Sequence, residues 1–289
     1  MIVGAGCLWG TMGLFVRRMG DMGLRSMEIV EARSILSAIM LLVLVLIRDR
    51  QLLKVNPRNL WTFAGTGIFS MVFFNVCYFS TIRQMNLSAA AILLYTAPIF
   101  VMLLSLMIFR EPMTGRKVLA LALAFGGCCL VSGLASAAEG LTAVGLLLGL
   151  GSGIGYALYS IFSRFALNRG VGSITITVYT FLFAAVGGAF FTDFGSILEA
   201  FRSQGPGLLG FLAVYCIVTT VAPYLLYTTG LRYVENGPAS VMASVEPVMA
   251  TLLGLVAFGE KPTLTALLGM ALVLGALILL STGGKGKTL

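Results

Sequence analysis

The chain has 289 residues, of which 58% are hydrophobic and only 10% charged, with a mean hydropathy of +1.00. A soluble domain carries about 25% charged residues, so this composition excludes an ordinary water-soluble fold. The net charge of +8 does not point to nucleic acid, because Lys and Arg gather in short connections and no aromatic-rich basic patch accompanies them. The apolar residues lie in blocks of about 20, enough for a helix to cross a hydrocarbon core of about 30 Å. None alternates as a membrane β-strand does. In chain order the expected spans are 1–17, 26–47, 59–82, 87–109, 116–134, 141–164, 173–192, 207–230, 236–258 and 263–282.

The first span could pass for a signal peptide, but it has no basic leader and nine further spans follow, so it reads as the first helix. It carries Trp9. The second opens with Glu28, Glu31 and Arg33. On a helix Arg33 points about 200° from Glu31 and about 140° from Glu28, so it needs a partner on another helix or an anion. In the third span Asn75, Tyr78 and Phe79 share one stripe, and in the eighth Tyr224 and Tyr227 share the matching one. Tyr156 and Tyr159 face the same way in the sixth. With Tyr95 and Ser244, these side chains are the expected wall of a solute site, since Tyr and Trp join an apolar body to a hydrogen bond.

Glu246, in the middle of the ninth span, is the sharpest signal. An ionised carboxylate there costs roughly 2.5–3.5 kcal/mol, so it needs a cavity or a partner. It reads as a counter-charge for a substrate ammonium or as a proton carrier, which makes proton coupling an expectation. Pro98 and Pro247 lie within the fourth and ninth spans and read as kinks or hinges. Arg33 and Glu246 join them as candidate coupling residues.

Two further patterns are structural. Gly145, Gly149 and Gly153 line one face of the sixth span, as small residues do where membrane helices approach closely. The string GLGSGIG (149–155) follows no strand, so it is no phosphate loop, and it does not fit a hydrolase elbow. The five cysteines sit in apolar runs without C-x-x-C spacing, and histidine is absent. No metal, cofactor or catalytic centre is expected.

The chain also repeats. A shift of 149 residues places Tyr78 on Tyr227, Arg83 on Arg232, Pro98 on Pro247, Phe109 on Phe258 and Glu111 on Glu260. A shift of 147 places Gly6 on Gly153, Phe15 on Phe162 and Arg17 on Arg164. Five spans per repeat is odd, so the second repeat enters the membrane inverted, an arrangement that puts solute sites near the midplane. The expected fold is therefore an all-α polytopic membrane protein of about ten helices. Its parts are a first five-helix repeat (1–134), a second, inverted one (141–282) and a cytoplasmic tail (283–289). With the N-terminus inside, the inner connections hold twelve Lys and Arg against six outside, which places both termini in the cytoplasm.

Trp9-Gly10, Arg33 and the paired stretches YTAPIFVMLLSLMIFREP (95–112) and SVEPVMATLLGLVAFGEKP (244–262) resemble the ten-helix EamA branch of the drug/metabolite transporter superfamily. The resemblance covers nearly the whole chain. It implies a secondary transporter of the cell (inner) membrane that exports or exchanges amino acids or similar small metabolites. Spans 1, 3, 4, 6, 8 and 9 would surround the cavity, and spans 5 and 10 would serve as scaffold or homodimer surface. The expected partners are a small solute and the lipid bilayer. A cationic drug exporter and a lipid-linked substrate flippase remain as alternatives, with a membrane-embedded enzyme as the reading of another class.

Overall fold

A computed structural model describes residues 1–137 and 140–282; the expected tail at 283–289 lies outside the described residues. The helices in chain order are α1 (Ile2–Gly10), α2 (Met12–Asp21), α3 (Ser26–Arg48), α4 (Leu60–Ala64), α5 (Phe73–Gln84), α6 (Leu87–Leu94), α7 (Ala97–Phe109), α8 (Gly115–Val131) and α9 (Leu134–Ala137). They continue with α10 (Ala143–Asn168), α11 (Ser173–Gly188), α12 (Phe194–Gln204), α13 (Pro206–Cys216), α14 (Ala222–Gly230), α15 (Asn236–Ala243), α16 (Glu246–Phe258) and α17 (Leu264–Ser281). The π-helical stretches Gly65–Val72 and Ile217–Val221 join α4 to α5 and α13 to α14.

Among the described residues, eight helical segments are long and apolar enough to cross a bilayer. They are Ser26–Arg48, Pro57–Gln84, Leu87–Phe109, Ala143–Asn168, Ser173–Phe191, Pro206–Gly230, Asn236–Phe258 and Leu264–Ser281. The chain is an all-helical, multi-pass membrane protein. Two further apolar stretches fall below that length: α8 has 17 residues, and the first expected span divides at Thr11 into α1 and α2. Side chains such as Ile39, Val43 and Ile47 on α3 and Leu252 and Val256 on α16 point outward, as a lipid-facing surface requires.

Local signals set the helix ends. Asn86, Thr114, Thr142 and Thr263 each accept a backbone N–H of the first turn with their side chain. α16 stops at Gly259, whose φ of +67° suits glycine; at the matched position Arg110 takes the same left-handed turn at +56°. Glu111 N–H then bonds Ser105 O, as Glu260 N–H bonds Gly254 O, so both half-helices close on the same motif.

The structure refines two expectations. The fourth and ninth spans each carry a two-residue turn: α6 ends before Tyr95–Thr96 and α15 before Ser244–Val245. Pro98 and Pro247 are each the second residue of the half-helix that follows, so the prolines mark the bend in each span. The segment 194–204, taken as part of a connection, forms α12, which packs against α3 and α13.

α8 and α17 pack along each other through glycines; a Cβ on Gly127 would stand 2.6 Å from Gly269 O. α10 runs through the centre against α5, α6 and α7, and α1 lies against α14, α15 and α16.

Candidate solute site

Both helix breaks are clasped by glycine faces. A Cβ on Gly6 of α1 would meet Ala243 O at 2.7 Å, and one on Gly10 would meet Glu246 O at 2.6 Å. In α10, a Cβ on Gly153 would meet Thr96 Oγ1 at 2.6 Å and Leu93 O at 3.0 Å. The backbone turns at each break through short bonds, Thr96 N–H to Leu93 O and Ser244 N–H to Val241 O. The glycine stripe read from the sequence as close packing thus brings α1 and α10 onto the two breaks.

Two small cavities meet there. The first, of about 20 Å³, is lined by Tyr95, Pro98, Tyr156, Ser240, Ser244 and Glu246. The second, also of about 20 Å³, is lined by Trp9, Ser70, Met71, Phe74, Tyr156, Tyr159, Ser160, Tyr224 and Tyr227. Each has room for about one water. Tyr156 lines both. The Trp9 ring lies 5.2 Å from that of Tyr224, 5.4 Å from Tyr227 and 6.3 Å from Tyr156, edge-on or tilted. Two phenols are fixed by hydroxyls: Tyr159 Oη pairs with Thr228 Oγ1 at 2.7 Å, and Tyr227 Oη with Ser160 Oγ at 2.8 Å.

Polar groups around these cavities are unevenly satisfied. Glu246 opens α16, where the helix dipole favours a negative charge, and it forms no ion pair among the described residues. Arg33 is 3% exposed; its Nη1 faces Met12 Sδ at 3.7 Å, and its Nε has no partner. The Trp9 indole Nε1 is likewise buried without an acceptor.

One end of the site is closed by hydrogen bonds. The Glu111 carboxylate accepts from the N–H groups of Asn236 (3.1 Å) and Gly237 (3.3 Å), the first turn of α15. Arg164 donates to Asn236 Oδ1 at 3.0 Å and to Val234 O at 2.5 Å. Asn236 Nδ2 donates to Ser105 Oγ at 3.1 Å, and Lys117 pairs with Glu235.

The EamA-like transporter family matches residues 1–133 and 143–282 of the chain. The chain belongs to that family. An uncharacterized transporter of Archaeoglobus fulgidus is 31% identical over 230 residues, covering 75% of each chain. The uncharacterized transporter YxxF of Bacillus subtilis is 27% identical, covering 81% of this chain and 74% of its own. A crystal structure of a protein 20% identical in sequence superposes with a TM-score of 0.75, covering 97% of this chain and 95% of that one. At that identity the likeness shows the fold alone.

Within this EamA-family chain, most of the residues expected at the site do converge: Trp9, Tyr95, Tyr156, Tyr159, Tyr224, Tyr227, Ser244 and Glu246 all line a cavity. The stripe on the third span does not. Asn75 is buried and donates to Met71 O of its own helix at 2.7 Å. Tyr78 stacks on Phe74, which lines the second cavity, and leans on Phe79; neither Tyr78 nor Phe79 lines either of these two cavities itself. Ser70, Met71 and Phe74 take that wall instead. Ser240, four residues before Ser244 in α15, was also missed; that spacing was the available signal.

Proposed function

We propose that this EamA-family protein is a secondary transporter that moves amino acids or similar small metabolites by alternating access, as an exporter or exchanger. It would work in the cell's inner membrane with both termini cytoplasmic. The observation that carries this reading is the meeting of two broken helices at one aromatic centre, with the Glu246 carboxylate at the start of α16. Broken helices whose half-helix ends face a central cavity suit solute binding at membrane depth, because the exposed backbone groups line protein and not lipid. No nucleotide-binding motif occurs in the sequence, so the energy comes from a solute or ion gradient.

The same reading takes the fold as ten spans in two inverted repeats, 1–134 and 141–282, with α1–α2 and α8 as the shorter spans. The division of the family match near residue 140 supports it, as does the mirrored clasp of Gly6 and Gly153 on opposite breaks. With the termini inside, the Glu111 end faces the cytoplasm and the structure represents a state sealed on that side.

Reconstitution tests the reading. Uptake and counterflow of labelled amino acids in proteoliposomes should be saturable, and should fall in Tyr156→Ala. An imposed pH gradient should stimulate flux in the parent and not in Glu246→Gln. Unchanged stimulation in that variant would remove proton coupling, and no amino-acid flux at all would remove the substrate class.

A further inference from the structure

Glu31 of α3 is a buried carboxyl that the solute site does not use. It is 1% exposed, and neither of its oxygens has a hydrogen-bond partner among the described residues. Neither cavity at the helix breaks reaches it. Glu28, one turn earlier, shows the contrast. It is buried too, but it accepts from the Arg25 N–H at 2.7 Å and lies 3.9 Å from the Arg25 guanidinium. Glu31 points instead at α11. A Cβ on Gly188 would collide with Glu31 Oε2, so the carboxyl fills the space that a glycine leaves open. Gly188 is the last residue of α11, and its carbonyl already accepts from the Thr192 hydroxyl. A helix C-terminus carries partial negative charge, so the carboxyl meets an end that repels an anion.

No cation offsets this among the described residues. α11 and the stretch Ile217–Val221 carry no charged residue. Arg17, Arg18 and Asp21 of α2, Arg83 of α5, and Glu199 and Arg202 of α12 are all exposed, and none acts on Glu31. Asp193 is engaged by Ser196 and Gly195. Arg33 leaves α3 about 200° away, toward Met12, and Cys216 of α13 bonds the Arg33 carbonyl on that side. An ionised Glu31 would therefore be a bare charge inside the protein, whereas a carboxylic acid is neutral and carries its own donor. With its oxygens packed against Gly188, the one cation this place admits is a proton.

We infer that Glu31 is a proton-binding site, separate from Glu246, and that the proton it holds lets α3 close on the end of α11. The carboxyl ionises only when water or a donor reaches it, which requires the two helices to part at Gly188. Proton release and the parting of α3 from α11 are then one event. The site takes no solute, so it stands or falls apart from the substrate class.

The test uses the full chain in detergent at neutral pH. Infrared spectra separate the C=O stretch of a protonated carboxyl from the bands of a carboxylate. The parent should show a protonated-carboxyl band whose Glu31 share is lost in Glu31→Gln and kept in Glu246→Gln. Gly188→Ala should remove the same share with Glu31 still present, because the added methyl displaces the carboxyl; this variant keeps the test alive should Glu31→Gln fold poorly. Raising the pH from mildly acidic to mildly alkaline should lower the melting temperature of the parent, since the folded chain keeps a proton that the unfolded chain gives up. That fall should be distinctly smaller in Glu31→Gln. Sodium and potassium should give the same melting temperature at fixed pH. An undiminished band and an unchanged pH response in Glu31→Gln would overturn the inference. So would stabilisation by sodium that disappears in Glu31→Gln, because the site would then hold a metal cation.

Discussion

At one end of the protein Glu111 is folded under the first turn of α15, accepting two backbone N–H groups, with Arg164 bracing Asn236 beside it. At the other end the residues that the sequence shift matches to these, Glu260 and Arg17, meet at 3.4 Å with side chains 62% and 61% exposed. Arg17 also lies over the Phe258 ring, 4.4 Å from its centre. α7 packs directly on α15, whereas their matched elements α16 and α6 form no comparable pair among the described residues. Similar residue types thus do different work. A half-buried carboxylate that caps a helix is worth up to about 1.5–3 kcal/mol per charged hydrogen bond, while an exposed ion pair is worth about 0.2–1. Under the inverted-repeat reading, one motif is held by hydrogen bonds to backbone at one end and by a solvated ion pair at the other.

Removing Glu111 should give the largest effect. Glu111→Ala leaves the N–H groups of Asn236 and Gly237 without their acceptor and Arg164 with less negative charge nearby. The expected loss is about 2–3 kcal/mol, read as a lower melting temperature in detergent. A cysteine introduced at Ser240 should also become easier to label from the Glu111 side. A variant that melts and labels like the parent would break the comparison at its strong end.

Arg164→Lys comes next. It keeps the charge but loses the fork that spans Asn236 Oδ1 and Val234 O, at a cost of about 1–2 kcal/mol. At the other end Glu260→Ala should cost less than about 1 kcal/mol, and the difference should vanish in high salt, because the pair is solvated. Equal losses in Glu111→Ala and Glu260→Ala would show that burial does not separate the ends.

Much of this architecture is legible in the sequence because membrane crossing imposes a simple rule, about 20 apolar residues between charged connections. Glu246 stood out for the same reason, as a carboxylate in an apolar run. The breaks at Tyr95–Thr96 and Ser244–Val245 left no hydropathy signal, since both halves of each span are equally apolar. Pro98 and Pro247 marked the place and read as kinks or hinges; the two-residue turn before each, and which glycines pack on it, emerge only in three dimensions. Asn75 fitted its stripe by spacing, yet its amide donates to Met71 O of its own helix. α12 was hidden because Asp193, Glu199 and Arg202 interrupt its Phe and Leu residues, so an amphipathic helix looked like a polar connection.

That helix provides the mildest test, at the Arg17–Glu260 end. α12 packs beside α2, which carries Arg17, and begins at Asp193. The Asp193 carboxylate accepts from Ser196 Oγ at 3.1 Å and from Gly195 N–H at 2.9 Å, and these bonds, the Ser196 hydroxyl first, hold it below the usual carboxylate range. Because the folded value is depressed, the cap contributes fully above the unfolded value and is lost as pH falls through the folded one. Acidification through that range should therefore speed amide exchange in the first turn of α12, once corrected for intrinsic rates, with little change in the melting of the whole protein. Asp193→Asn keeps an oxygen for the cap but does not titrate, so its exchange should stay flat over the same range. Parent and variant responding alike would place the acid sensitivity elsewhere, and the Arg17–Glu260 end would then not be tuned by its own exposed carboxylates.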